Sequence, residues 1–89
     1  MHAVVVRVTI KDRESAEKGL KEAVVPRVSQ APGFKTGYWT WKSDTGLSML
    51  IFESEDAANQ AAEQARAIAQ SMDAVELEDV EVREVVANA

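Results

Sequence analysis

Two hydrophobic periods alternate along the chain. From Ala3 to Ile10, Val4, Val6, Val8 and Ile10 share one side of a two-residue period, and Ala3, Val5, Arg7 and Thr9 share the other. Valine on both sides predicts a central strand covered on both faces. From about Arg13 the spacing lengthens to three and four. Ala16, Leu20, Ala23 or Val24, and Val28 then form one apolar stripe, with Glu14, Glu17, Lys18, Lys21 and Glu22 elsewhere, as in an amphipathic helix. Asp12 is placed to cap that helix. Pro26 falls inside the stripe; it lacks a backbone donor and crowds the preceding turn, so a kink or an early end is expected there. Ala31-Pro32-Gly33 stops the helix.

Alternation returns from Phe34 to Lys42, with Phe34, Thr36, Tyr38 and Thr40 on one side and Lys35, Gly37, Trp39 and Trp41 on the other. Ser43-Asp44-Thr45-Gly46 reads as a hairpin loop, with Gly46 suited to a positive φ. In the returning strand, Leu47 to Glu53, Leu47, Met49 and Ile51 alternate with Ser48, Leu50 and Phe52. Ser54 caps a second helix that starts with Glu55 and Asp56, where the helix dipole favours negative charge. Its stripe is Ala57 or Ala58, Ala61, Ala65, Ile68 and Met72. Val75 to Val86 forms the last strand region. Val75 and Leu77 have one parity and Val80, Val82 and Val86 the other, which predicts a turn, bulge or break near Glu78-Asp79.

The order β-α-β-β-α-β predicts an α+β fold of the ferredoxin-like kind, with a four-stranded antiparallel sheet and two helices on one face. It is read as one domain over residues 1–89. A faint repeat agrees: Ile10, Ala16, Leu20 and Val24 match Ile51, Ala57, Ala61 and Ala65 at a constant offset. Helices on one face leave the other to explain. Val5, Trp39, Trp41, Leu50, Phe52 and Val85 are expected there, as an apolar and aromatic surface that a second copy would bury.

Composition narrows the function classes. At 46% apolar the chain is globular, but 89 residues build only a marginal core, so oligomerisation is a natural supplement. A net charge of −5 with scattered lysine and arginine argues against a nucleic-acid partner. There is no cysteine and one histidine, His2, which excludes disulfides, thiolate chemistry and a multi-histidine metal site within one chain. Met1 to Ile10 is too short for a signal peptide and Arg7 interrupts it; no apolar run approaches the ~20 residues of a membrane span. A cytoplasmic protein without membrane contact is expected.

Ala31-Pro32-Gly33-Phe34 between the first helix and the second strand, and Ile51-Phe52-Glu53-Ser54-Glu55-Asp56-Ala57 running into the second helix, resemble the dimeric α+β barrel superfamily. Within it the chain is most similar to the antibiotic-biosynthesis-monooxygenase-like domains. The resemblance implies a homodimer whose two sheets form a barrel, often with a small-molecule cavity between sheet and helices. Members that oxidise polyketide quinols or degrade haem often have a Trp where Phe52 stands and a His in the second helix; here that helix offers Asn59, Gln60 and Gln64. The haem-degrading members use an Asn on the first strand, where this chain has Arg7. No haem and no other cofactor is therefore expected, and the fold does not dictate a reaction.

The candidate ligand-binding residues are Arg7, Tyr38, Trp39, Trp41, Phe52 and Arg83. Trp39 and Trp41 share a strand face and serve either as dimer core or as a flat wall for an aromatic ligand. Tyr38 faces the other way, toward the helices or a cavity beneath them. Arg7, in a strand of apolar and small residues, needs an ion pair with Glu84, Glu81 or Glu53, a solvated edge, or an anionic ligand. Arg83 poses the same question. His2 is expected to be exposed and without a role, and Glu76, Glu78, Asp79, Glu81 and Glu84 form a solvated strand face. With no Ser-His-Asp set and no phosphate-cradling glycine loop, two readings remain. One is a dimeric protein that binds a small apolar or aromatic molecule. The other is a cofactor-independent monooxygenase-like enzyme on an aromatic or quinol substrate, with Tyr38, Trp39, Trp41 and Arg7 as wall, hydrogen bonder and anion stabiliser.

Overall fold

A computed structural model describes all 89 residues. Strand β1 (His2–Ile10) leads into helix α1 (Arg13–Gly19), a π-helical turn (Leu20–Val24) and helix α2 (Val25–Ser29), which together make the first helical rod. Strands β2 (Phe34–Lys42) and β3 (Thr45–Phe52) form a hairpin, followed by helix α3 (Glu55–Ser71) and strand β4 (Val75–Glu84). The four strands pair antiparallel in the order β2-β3-β1-β4, the ferredoxin-like arrangement predicted from the two periods.

The caps lie where the sequence places them. Asp12 accepts from the Ser15 N–H at 3.2 Å, and Ser54 Oγ accepts from the Ala57 N–H at 3.1 Å. Pro26 does not end the helix. The turn before it widens, so that the Val25 N–H donates to the Leu20 carbonyl five residues back. Pro26 then opens a fresh α segment, at a position where a missing N–H costs nothing. After Ser29 the chain turns through Gly33 at φ 79°, and the Gly33 carbonyl accepts from the Glu53 N–H at 2.8 Å. A Cβ at Gly33 would lie 2.9 Å from Ala57 Cβ. We expect Gly33→Ala to lower stability by about 1–3 kcal/mol; an unchanged urea midpoint would rule this out.

The hairpin loop is tighter than expected. Lys42 pairs with Thr45, Ser43 rather than Gly46 has the positive φ (54°), and Gly46 is a buried strand residue. In β4 the predicted irregularity is a bulge. Arg7 faces Asp79 while Val8 faces Leu77, so Glu78 is the extra residue, and its carboxylate accepts from the Thr9 hydroxyl at 2.8 Å. The bulge brings Val75, Leu77, Val80 and Val82 to the same side of the sheet.

The core lies between the sheet and α3. Val4 and Phe52 are 0% exposed, Leu50 is 2% exposed, and Ala58, Ala61 and Ala62 of α3 pack against them. Alanine lets α3 lie close to β1 and β4. The first rod is different: its only buried residue is Ala16. Thirteen of the 89 residues are buried and none of these is polar or charged, so the core is small and dry.

Candidate functional site

Where the first rod stands off the sheet, a cleft of about 80 Å³ opens beneath it. Its roof is Ala16, Leu20, Val24 and Val28, the apolar stripe of the first rod. One wall comes from α3, with Ala65, Ile68, Ala69 and Met72. The floor is the helix side of the sheet: Val6 and Val8 of β1, Trp39 and Trp41 of β2, Ser48 and Leu50 of β3, and Val75 of β4. Fourteen of the fifteen lining residues are apolar, and Ser48 is the exception.

The two indoles reach this side because glycines make room for them. A Cβ at Gly46 would lie 3.3 Å from Trp41 Cδ1, and one at Gly37 would lie 3.3 Å from Trp39 Cη2. Arg13 sits over the Trp41 ring, 5.1 Å from its centroid, and its Nη1 donates to the Ser43 carbonyl at 3.1 Å.

This placement reverses the sheet faces expected from the sequence. Trp39, Trp41, Leu50 and Phe52 face the helices, not the open side of the sheet. Tyr38 faces away from the helices and is 67% exposed. Phe52 is wholly buried in the core, its ring edge-on to Phe34 at 5.7 Å between centroids. A register shift between Phe34 and Thr36 explains why Phe34 joins the tryptophan side although simple alternation puts it with Tyr38. Val85 lies just beyond the end of β4.

Arg7 is exposed and makes no ion pair, contrary to the pairing expected with Glu84, Glu81 or Glu53. Arg83 is paired instead, donating to Glu81 at 3.1 Å. His2 is only 20% exposed at its side chain, not the free surface group expected. Its Nε2 stands 3.8 Å from Glu55 Oε2, and its Nδ1 is buried without a partner. Within one chain, then, the six candidates do not converge. Trp39 and Trp41 line the cleft, Phe52 lies in the core, and Arg7, Tyr38 and Arg83 belong to the opposite face. Sequence reasoning passed over Ser48 and Arg13. The signal for Ser48 was its parity: it shares a strand side with Leu50 and Phe52.

The open face has a definite layout. Val5, Met49 and Tyr38 stand side by side across β1, β3 and β2, with Glu81 beyond Val5 on β4. The adjacent row reads Asp79, Arg7, Leu47 and Thr40. Met49 is 46% and Leu47 38% exposed, so with Tyr38 they form an apolar patch bordered by acids. No group of three or more His, Asp or Glu residues could hold a metal ion, and no helix is long and apolar enough to cross a membrane.

No family model matches the chain, and no curated protein matches it. Among solved structures it is similar to the crystal structure of MupZ from Pseudomonas fluorescens, with a TM-score of 0.69 and 14% identity. The alignment covers 91% of this chain, which spans 65% of the length of that one. At this identity the likeness is one of fold: a small α+β domain built on a four-stranded antiparallel sheet.

Proposed function

We propose that the protein is a homodimer that binds a small, uncharged apolar or aromatic molecule in the cleft between sheet and first rod. The observation that carries the binding half is the cleft itself, apolar at every lining residue but one and walled by both tryptophans. Its size limits the occupant. A cavity of about 150 Å³ takes benzene; this one, at about 80 Å³, needs the flexible Leu20 and Met72 side chains and the weakly buried first rod to give way. One ring or a short branched chain suits it better than a fused-ring quinol.

The dimer half rests on the open face. Tyr, Met and Arg are enriched at interface cores, and Tyr38, Met49 and Arg7 lie together on an uncovered sheet. Four strands about 4.8 Å apart and about eight residues long present roughly 500 Å². Two such faces reach about 1,000 Å², the least that a biological interface should clear. Each sheet also offers Asp79 on this face, a carboxylate without an ion pair in its own chain that suits the unpaired Arg7 of a facing copy. The likeness to the antibiotic-biosynthesis-monooxygenase-like domains supports the same assembly.

Trp39 and Trp41 are the only tryptophans, so their fluorescence reports on the cleft directly. Titration with toluene is expected to change it saturably. Ala65→Leu, which fills the wall, is expected to weaken that response at least ~10-fold while leaving the circular dichroism spectrum intact. No saturable change up to the solubility limit of toluene would overturn the binding half.

A further inference from the structure

We propose that the cleft ligand carries one hydroxyl group on an otherwise hydrocarbon frame, and that Ser48 holds that group; this rests on the cleft reading above. Ser48 stands mid-strand on β3, between Val6 on β1 and Trp39 on β2. The neighbours on its own strand side are Gly46 and Leu50, and the other polar side-chain atoms of the cleft lining are the indole N–H groups of Trp39 and Trp41, neither of which bonds to it. Its hydroxyl makes no hydrogen bond to any other group of the protein. Ser48 is half-buried and its hydroxyl is not sealed from water in the free protein, so it would be stranded, at a cost in free energy, only by a ligand that covers it without offering a hydrogen bond.

While the cleft is open to solvent, water serves the hydroxyl. A ligand that displaces the water must replace its hydrogen bond or strand the oxygen. A pure hydrocarbon strands it; a ligand hydroxyl, both donor and acceptor, satisfies it whichever way the Ser48 proton points. Charge is excluded by the rest of the lining. No Lys, Arg, Asp, Glu or His is among the cleft residues, and Arg13 at the Trp41 ring already donates to the Ser43 carbonyl. An ion would enter uncompensated.

The test compares p-cresol, toluene and benzoate by NMR titration of the amide and indole N–H signals, in the wild-type chain and in Ser48→Ala. In the wild type, p-cresol is expected to bind more tightly than toluene, with no saturable shift for benzoate. Ser48→Ala is expected to reduce the p-cresol to toluene affinity ratio by roughly three- to tenfold, the worth of one hydrogen bond, with toluene affinity unchanged or raised. An unchanged ratio while both probes still bind overturns the role of Ser48 and leaves the cleft reading standing. Binding of benzoate at the cleft signals overturns the restriction to uncharged ligands. Failure of both neutral probes to bind overturns the two readings together.

Discussion

Phe52→Ala should leave the chain largely unfolded at room temperature. Phe52 is the largest side chain sealed from solvent, and it joins both parts of the core. Its ring meets Phe34 edge-on at 5.7 Å, tying the start of β2 to the end of β3, and it packs in the cluster that α3 closes through Ala58 and Ala61. Removing an aromatic ring from such a site costs about 3–5 kcal/mol in lost burial and cavity formation. At roughly 0.05–0.15 kcal/mol per residue a chain of 89 residues holds only about 4–13 kcal/mol in all, and a core of thirteen buried residues puts this one toward the low end. No disulfide offsets the loss, since the chain has no cysteine. Far-ultraviolet circular dichroism and urea titration give the answer: a cooperative transition with a near-wild-type midpoint in Phe52→Ala would show that the core lies elsewhere. Phe52→Leu, which keeps most of the volume, should retain the fold at reduced stability.

The second large effect is on assembly. Met49→Asp should convert the proposed dimer to a folded monomer. Met49 lies in the middle of the open face, between Val5 and Tyr38, and no residue of its own chain covers it. A carboxylate there costs the monomer little, because the position is exposed. In a face-to-face dimer the same carboxylate would be buried opposite its own copy near the two-fold axis, and central interface positions carry most of the binding energy. A loss of about 2–4 kcal/mol weakens the dimer by roughly 30- to 1,000-fold. Sedimentation velocity at micromolar concentration separates the outcomes. A wild-type monomer, or a Met49→Asp dimer as tight as wild type, would dispose of this interface. The variant should keep its circular dichroism spectrum, which distinguishes dissociation from unfolding.

These two residues also show why the faces of the sheet were hard to assign. Both β2 and β3 have large apolar or aromatic residues at each parity: Tyr38 against Trp39 and Trp41, Met49 against Leu50, Ile51 against Phe52. A period of two sorts residues into two sets without saying which set faces the helices. Size favoured the tryptophans as interface residues, but the register with β1 decides the matter. Val4 pairs with Leu50 and Val6 with Ser48, and Val4 and Val6 lie under α3, so Leu50, Phe52 and the tryptophans must follow them inward.

The order of elements, the helix caps at Asp12 and Ser54, the stop at Pro32-Gly33 and the irregularity at Glu78 were all legible in the sequence, because each depends on residues within one or two turns of chain. What only the tertiary structure decided was relational. The depth of the first rod over the sheet, which makes the cleft, depends on contacts between segments far apart in the chain. So does the isolation of the Ser48 hydroxyl, whose partners would have to come from other strands and helices. Pro26 lies between these cases. Its local effect was predictable, but its resolution into a π turn and a renewed α segment also kept Leu20, Val24 and Val28 over the sheet, and so shaped the roof of the cleft.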